Sequence, residues 1–192
     1  MFEDLIKDRV AKSVEVKEKL LQNTDLIKTI SEVSQEIIEA FKRDNKVLLC
    51  GNGGSAADAQ HISAELSGRF YKDRKPLFAE ALHVNTSYLT AVANDYSFDD
   101  VFARLVEGMG RKGDILIGLS TSGNSKNVIN AVKKAKEIGM ITVGLTGEEG
   151  GELKKYVDYL INVPSKDTPR IQEAHILVGH IICEIVEKEL FK

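Results

Sequence analysis

The chain has 192 residues, of which 43% are hydrophobic and 29% are charged. This length suits one globular domain whose core needs no disulfide or metal support. The net charge of −3 offers no basic surface for nucleic acid or an anionic membrane, so we expect neither as a partner. The acidic start lacks the features of a signal peptide, and no apolar run approaches the length of a membrane span.

Two long amphipathic helical patterns open the chain. Apolar residues recur three or four apart over 2–21 and again over 26–41, and Asn23 or Thr24 supplies a start signal between them. Together the two helices offer more apolar surface than a five-stranded sheet needs. They form either an oligomer interface or a packing layer within the subunit, and the pattern alone leaves both open.

Beyond residue 45, short β-branched or leucine-rich runs alternate with helical stretches. Strands are predicted at 46–50, 80–84, 114–119, 141–145 and 159–163. Helices are predicted at 56–66, 87–93, 98–109, 125–138 and 170–190. Alternating strands and helices with nearly continuous apolar strands are typical of a mostly parallel sheet covered on both faces. The prediction is an α/β fold, a three-layer αβα sandwich with a five-stranded, mostly parallel sheet.

Both cysteines stand in apolar patterns, Cys50 at the end of a strand and Cys183 in the last helix. We interpret them as reduced core thiols, which indicates a cytoplasmic protein. The densest basic cluster, residues 72–75, is interpreted as a solvated loop.

A glycine-rich turn, residues 51–54, joins the first strand directly to a helix. Unpaired backbone N–H groups and the positive end of the helix dipole make such a turn an anion site. The turn formally satisfies the dinucleotide pattern G-x-G-x-x-G/A, but a polar loop at 68–76 follows the helix where that reading requires a strand with an acidic end. The alternative is a tight turn without a ligand.

A second loop of this kind follows the third strand. Residues 120–125 bring four hydroxyl groups to the start of a helix, with Gly123 allowing close backbone approach. This suits the oxygens of a phosphate monoester. The alternative is that Ser122 or Ser125 merely caps the helix, but capping needs one hydroxyl rather than four. The chain has neither G-x-x-x-x-G-K-[ST] nor G-x-S-x-G, which disfavours a nucleoside triphosphate site and an esterase nucleophile.

His61 and Glu65 stand at i and i+4 on the helix after the glycine turn, so they face the same side. On their own they could equally be an exposed ion pair. The last helix carries His175 and His180 among apolar residues, where an imidazole is often only a hydrogen-bonded structural group. His83, at the end of a strand, is interpreted as structural.

Five segments together closely resemble the phosphoheptose isomerase family of the sugar isomerase (SIS) domain superfamily: GNGGSAADAQH, ELSGR, AVANDYSFDDVF, LSTSGNSKNVI and TPRIQEAHILVGH. The resemblance spans essentially the whole chain. It implies a flavodoxin-like SIS fold in which 1–192 is a single domain. Residues 1–44 would be an oligomer-forming helical pair, and 45–192 the α/β core with the long C-terminal helix. A cytoplasmic homotetramer with active sites between subunits is also implied.

The implied reaction converts sedoheptulose 7-phosphate to D-glycero-D-manno-heptose 7-phosphate, the first step towards the activated heptoses of lipopolysaccharide or other surface glycans. By position, the resemblance implies substrate contacts at Asn52, Gly53, Gly54, Ser55, Glu65, Arg69, Asn94, Asp95, Ser120, Thr121, Ser122, Ser125 and Gln172. It implies one zinc ion per subunit with the ligands His61, Glu65, Gln172 and His180. Glu65 and His180 match the acid–base pair.

Those residue types fit aldose–ketose exchange, which moves a proton between C1 and C2 through an enediol and needs a base and a proton donor. A zinc ion would polarise the carbonyl. We expect Glu65 to handle the carbon-bound proton and His180 the complementary transfer, although the roles can be exchanged. Gln172 and His180 are about 12 Å apart along a straight helix, a long reach for two ligands of one zinc ion. Either the helix begins near Gln172, the two side chains lean towards each other, or the ligands come from two subunits. His175 is a neighbouring-subunit or a structural group.

Two other functions compete with heptose phosphate isomerisation. Relatives of this fold act as tetrameric adaptors for the bacterial replication initiator, but they lack the Glu and the final His, which are both present here as Glu65 and His180. A different sugar-phosphate isomerase, or a sugar-phosphate-binding regulator of the superfamily, is the third reading. The His61–Glu65 pair and the RIQEAH segment favour the heptose branch.

Overall fold

The computed structural model describes residues 2–192, in which five parallel strands form one sheet of order β2-β1-β3-β4-β5. The strands are β1 (Val47–Cys50), β2 (Ala79–Ala81), β3 (Ile115–Leu119), β4 (Ile141–Thr146) and β5 (Tyr159–Asn162). The α-helices are α1 (Phe2–Gln22), α2 (Thr24–Lys42), α3 (Gly54–Ser67), α4 (Thr86–Asp95), α5 (Val101–Met109), α6 (Lys126–Ile138) and α7 (Thr168–Leu190). Single turns of 3₁₀ helix cover Phe98–Asp100 and Leu153–Lys155.

The predicted α/β class and the five-stranded sheet are confirmed, and every strand pairing is parallel. The boundaries differ most at β2, which was predicted over 80–84. The N–H of Leu82 still donates to Leu49 O at 2.8 Å. The chain then turns, because Asn85 caps α4 by accepting a hydrogen bond from the N–H of Tyr88 at 3.0 Å.

Alternate residues of the strands build two apolar layers, one on each face of the sheet. Val47 and Leu49 of β1 face the layer that holds α2, α3 and α7, while Leu48 and Cys50 face α4, α5 and α6. Cys50 and Cys183 are both buried and unpaired, as predicted. Burial raises the pKa of each thiol to about 12, so both stay protonated.

The N-terminal helices are joined by Asn23, whose side chain accepts a hydrogen bond from the N–H of Leu26 at 3.0 Å. Helix α2 buries a full apolar face against β5 and α7. Helix α1 buries only Val16 and Leu20 and leaves a run of apolar side chains exposed. Those exposed residues are Phe2, Leu5, Ile6, Val10, Val14 and Leu21. Among the described residues, no helix combines the length and hydropathy needed to cross a membrane.

The strand order places a topological switch point between β1 and β3. These strands are neighbours, yet the helices that follow them, α3 and α6, lie on opposite faces of the sheet. In sheets of this order the two loops diverge at the carboxyl edge and open a crevice that binds ligands. The glycine turn and the Ser120–Ser125 loop are the two walls of that crevice.

Candidate active site

The glycine turn presents the first amides of α3 without a side-chain cap. Gly53 has a left-handed φ of 56° and makes no side-chain cap hydrogen bond, a conformation that glycine adopts at little cost. A Cβ on Gly51 would lie 2.6 Å from Ser55 O, so a side chain is excluded there too. The N–H groups of Ser55 and Ala56 donate to Asn52 O at 3.0 Å and to Gly53 O at 3.1 Å, and the positive end of the α3 dipole faces the crevice.

The Ser120–Ser125 loop repeats this arrangement at α6. Ser120 Oγ donates to Ser125 Oγ at 2.9 Å, and the N–H of Asn124 donates to Ser122 Oγ at 3.1 Å. Ser125 occupies the cap position but makes no side-chain cap hydrogen bond. Gly123 has a φ of 68°, and a Cβ there would collide with Gly150 O. The hydroxyl group of Ser125 therefore does not cap α6, so the helix-capping alternative does not hold for this residue.

A reciprocal amide pair ties the two walls of the crevice together. Asn52 Nδ2 donates to Asn127 Oδ1 and Asn127 Nδ2 donates to Asn52 Oδ1, each at 2.9 Å. Asn127 is buried, and its Oδ1 also accepts from the N–H of Val128 at 3.0 Å. Because each amide both donates to and accepts from the other, the pair sets the distance between the glycine turn and the start of α6. No local pattern marks Asn127, because its partner lies 75 residues away in the sequence.

A cleft of about 240 Å³ opens beside the serine loop. Thr121 and Ser122 line it together with the loop after β4 and the start of α7, including Lys166 and Thr168. Lys166 is paired there with Glu148 at 3.2 Å and Glu149 at 2.8 Å, and both glutamates also line the cleft. The hydroxyl groups and the uncapped helix ends are the features that suit a phosphate group. The cleft does not include His61, Glu65 or His180.

Those three residues meet on the two helices that pack side by side on one face of the sheet. His61 Nε2 lies 3.0 Å from His180 Nε2 and 3.2 Å from Glu65 Oε1. The imidazole rings meet edge to face, with centroids 5.1 Å apart. The spacing that predicted a His61–Glu65 pair therefore holds, and His180 of α7 joins it across 119 residues of sequence.

The donor set of this cluster fits zinc. One ligand atom from each residue lies within 4.8 Å of the other two. A tetrahedral zinc ion with ligands at about 2.0–2.2 Å has neighbouring ligand atoms about 3.3 Å apart, close to the two observed separations. Two histidines and one glutamate are a ligand set that proteins use for zinc.

Gln172 lies at the other end of the helix pair. Its side-chain amide packs over Gly54, where a Cβ would collide with it, whereas Gly179 packs against Ile62. Gly54 precedes Ile62 in α3, and their partners Gln172 and Gly179 follow in the same order in α7. The two helices are therefore parallel. Gln172 is two turns of α7 away from His180 and faces the glycine turn. Its predicted role as a fourth ligand is untested and stays a prediction.

Asp58 and Phe70 also belong to this region. Asp58 precedes His61 by one turn, and its Oδ2 is buried without a hydrogen-bond partner among residues 2–192. Burial raises the pKa of Asp58 to about 6, although the charge of His61 opposes the shift. The Phe70 ring lies 5.8 Å from the His180 ring. Neither residue carries a motif of its own, so only the fold reveals them.

Three predicted substrate residues lie outside these contacts. Asn94 and Asp95 are exposed at the end of α4, where Asn94 Nδ2 donates to Asp95 Oδ1 at 2.9 Å. Helix α4 covers the face of the sheet opposite α3 and α7. Arg69 is exposed directly after α3. The roles of these residues in substrate binding stay predictions.

The remaining histidines, His83 and His175, are not part of the His61 cluster. His175 is fully buried and its Nε2 lies 3.1 Å from Thr146 O. Burial lowers its pKa to about 4, against the opposing effect of the Thr146 carbonyl. Burial likewise lowers the pKa of His83. The predicted structural role of His83 and the structural alternative for His175 agree with these surroundings.

Comparison with known proteins gives a consistent picture. The family model described as "SIS domain" matches residues 11–147. The phosphoheptose isomerase of Clostridium acetobutylicum is 56% identical over 190 residues, which are 99% of this chain and 97% of the relative. That of Sulfurimonas denitrificans is 55% identical, over 97% and 95% of the two chains.

Solved structures agree with these relatives. The phosphoheptose isomerase of Neisseria gonorrhoeae superposes with a TM-score of 0.92 at 42% identity, covering 98% of this chain and 100% of the other. That of Francisella tularensis gives 0.94 at 34% identity, with 98% and 99% covered. With the glycine turn, the serine loop and the His61 cluster in place on such a fold, the chain belongs to the SIS-domain family and, within it, to the phosphoheptose isomerases.

Proposed function

We propose that this protein is an aldose–ketose isomerase that converts sedoheptulose 7-phosphate to D-glycero-D-manno-heptose 7-phosphate. The observation that carries the proposal is the convergence of Glu65 and His180 beside His61, with ligand atoms within 4.8 Å of one another, next to a crevice that offers two uncapped helix ends. Full-length identity above 50% to phosphoheptose isomerases supports the same reaction.

Phosphate binding falls to the serine loop in this proposal. Hydroxyl groups of Ser120, Thr121, Ser122 and Ser125 and the first amides of α6 would hold the three phosphate oxygens. Asn52, Gly53, Gly54 and Ser55 would line the sugar, with Gln172 reaching over the turn. Arg69, Asn94 and Asp95 would add contacts to the sugar hydroxyls, which for the residues of α4 requires a second subunit.

Glu65 and His180 supply the acid–base chemistry. Glu65 removes a proton from C1 and returns it to C2, while His180 protonates the carbonyl oxygen on C2 and then accepts the proton of the hydroxyl on C1, so that the enediol collapses to the aldose. Both side chains are partly exposed, so substrate can reach them. General acid–base transfer of this kind contributes about 10²–10⁴-fold to rate.

His61, Glu65 and His180 would hold one zinc ion per subunit, with Gln172 as the predicted fourth ligand. When bound, zinc polarises the substrate carbonyl and stabilises the negative charge that develops on oxygen. The side chains of the cluster would then also fix the orientation of the sugar relative to Glu65.

We further propose a cytoplasmic homotetramer whose active sites lie between subunits. The exposed apolar face of α1 and an apolar groove of about 430 Å³ between α1, α2 and α7 support self-association, because patches of this kind are seldom left open to water. In metabolism the product would enter activated-heptose synthesis for lipopolysaccharide or other surface glycans.

The decisive experiment is incubation with sedoheptulose 7-phosphate in heavy water, followed by NMR, with and without a chelator. Aldoheptose product with deuterium at the exchanged carbon is the expected result, and lost activity on chelation would make the metal functional. A folded protein that gives neither product nor deuterium uptake, with or without added zinc, would contradict the proposal and favour a binding protein.

Glu65→Gln tests the assignment of the base. The amide keeps the shape of the side chain but cannot accept a proton, so turnover should fall by at least about 10²-fold with unchanged circular dichroism. Glu137→Gln removes a carboxylate from an exposed ion pair with Lys134 on α6 and serves as the matched control. Near-normal turnover of Glu65→Gln would overturn the assignment.

A further inference from the structure

A buried ion pair joins the loop after α3 to the last turns of α7. Arg74 Nε lies 3.0 Å from Glu187 Oε2, and each side chain is only 2% exposed. Burying two charges is costly unless their remaining donors and acceptors are also satisfied. This finding corrects the interpretation of residues 72–75 as a solvated loop, which holds for Lys72, Asp73 and Lys75 but is wrong for Arg74.

The carboxylate of Glu187 holds the backbone of that loop. It accepts hydrogen bonds from the N–H groups of Phe70 at 3.0 Å and of Tyr71 and Lys72 at 2.8 Å each. Burial alone would raise the pKa of Glu187, but these three N–H donors and Arg74 lower it. Glu187 is therefore an ionised anchor for three consecutive residues.

The guanidinium of Arg74 holds the end of α3. It donates to the carbonyl oxygens of Glu65 at 2.9 Å, Leu66 at 2.7 Å and Gly68 at 3.2 Å. The last carbonyls of a helix have no partners within the helix, and a cation there also opposes the negative end of its dipole. One of the carbonyls so held is that of Glu65, whose side chain belongs to the catalytic cluster.

The same loop seats an aromatic ring against His180. The amide of Phe70 is bound by Glu187, and its ring lies 5.8 Å from the His180 ring. Glu187 follows His180 by seven residues, which is about two helical turns on α7. The ion pair is thus connected to Glu65 through the end of α3 and to His180 through Phe70.

We propose that Arg74 and Glu187 are positioning residues of the isomerase. They hold the carboxylate of Glu65 and the imidazole of His180 at their working separation by fastening the end of α3 and the Phe70 loop to α7. The inference rests on the proposed function. If the pair were only structural, its loss would change only the free energy of unfolding. Misplacing a catalytic group by about 1 Å, in contrast, costs on the order of 100-fold in rate.

Two variants test the pair at a temperature where each is folded. Glu187→Gln replaces one acceptor oxygen by an NH₂ group that faces the N–H groups of the loop. Arg74→Lys keeps the positive charge but loses the guanidinium that donates to several carbonyl oxygens at the end of α3. For Glu187→Gln, kcat should fall about 10- to 100-fold while KM stays within about twofold. Arg74→Lys should retain more activity. Glu137→Gln, which breaks the exposed pair with Lys134, should match the wild type.

A second readout does not depend on catalysis. The imidazole proton resonances of His180, assigned by their loss in His180→Gln, carry the ring-current shift of Phe70 in the wild type. They should move in Glu187→Gln and move equally in Phe70→Leu, which keeps the ion pair intact. If the protein lacks isomerase activity altogether, these shifts still report whether the pair positions His180.

Unchanged kcat in folded Glu187→Gln together with an unmoved His180 resonance would overturn the proposal. Should Glu187→Gln fail to fold, Arg74→Lys decides in its place. Normal kcat and an unmoved resonance in that variant would count equally against positioning.

Discussion

One nitrogen atom of His61 has two close neighbours. Its Nε2 faces an imidazole nitrogen of His180 at 3.0 Å and a carboxylate oxygen of Glu65 at 3.2 Å. A single proton on Nε2 cannot satisfy both, and two unprotonated nitrogens at this distance repel each other unless a cation lies between them. At the scale of the residue, the cluster is arranged either to share a proton or to bind a metal, and both suit an isomerase.

His175 makes stability depend on pH. Its pKa is lowered by burial from an ordinary 6.5 to about 4, so below pH 6.5 the unfolded chain takes up a proton that the folded protein does not. The free energy of unfolding should therefore decrease as the pH falls from about 6.5 to about 4, with a slope that approaches about 1.4 kcal/mol per pH unit.

His175→Gln isolates this contribution, because its amide can still donate to Thr146 O but does not titrate. Urea unfolding at fixed protein concentration, followed between pH 7 and 4, should show a shallower loss of stability for the variant than for the wild type. Parallel curves would mean that His175 is not the responsible group.

At the scale of elements, the site depends on how α3, α6 and α7 are fastened to one another. The Asn52–Asn127 pair connects α3 to α6, and the Arg74–Glu187 pair connects α3 to α7. Glycines at the contact points let the helices approach closely. The active site is therefore held by links from the loops on either side of α3 to the helices α6 and α7.

Asn127→Leu tests the first link. The substitution leaves the Asn52 amide without its partner at the glycine turn, which should lower the free energy of unfolding by about 1–3 kcal/mol and raise KM for the sugar phosphate several-fold. Asn130→Leu on the same helix removes a hydrogen bond to Asp99 O but leaves the turn intact, so KM should stay normal. Equal KM values for the two variants would contradict the role of the link.

The local parts of this architecture could be predicted from the sequence, and the long-range parts could not. The glycine turn, the serine loop and the His61–Glu65 spacing are readable because neighbours in the chain determine them. The partner of Asn52 is 75 residues away and that of Arg74 is 113 residues away. No local pattern distinguishes a buried arginine from its solvated neighbours, so these links became visible only in the folded chain.

For the whole molecule, the exposed face of α1 predicts self-association. Ile6→Glu combined with Val10→Glu should shift the protein to smaller species in size-exclusion chromatography with light scattering, because two charges cannot be buried in an apolar interface. Ala11→Glu combined with Gln22→Glu adds the same charge on the other side of α1 and should leave the assembly unchanged. An unaltered assembly in the first variant would exclude this face as an interface.

The parallel packing of α3 and α7 restricts how such a chain can change in length during evolution. One residue inserted or deleted between Gly54 and Glu65 would rotate the remainder of α3 by about 100° and shift it by about 1.5 Å, which carries His61 or Glu65 away from His180. The same holds between Gln172 and His180. We therefore expect gaps in an alignment of relatives to avoid these two segments, and to fall instead in exposed loops away from the site, where neither helix depends on the count of residues.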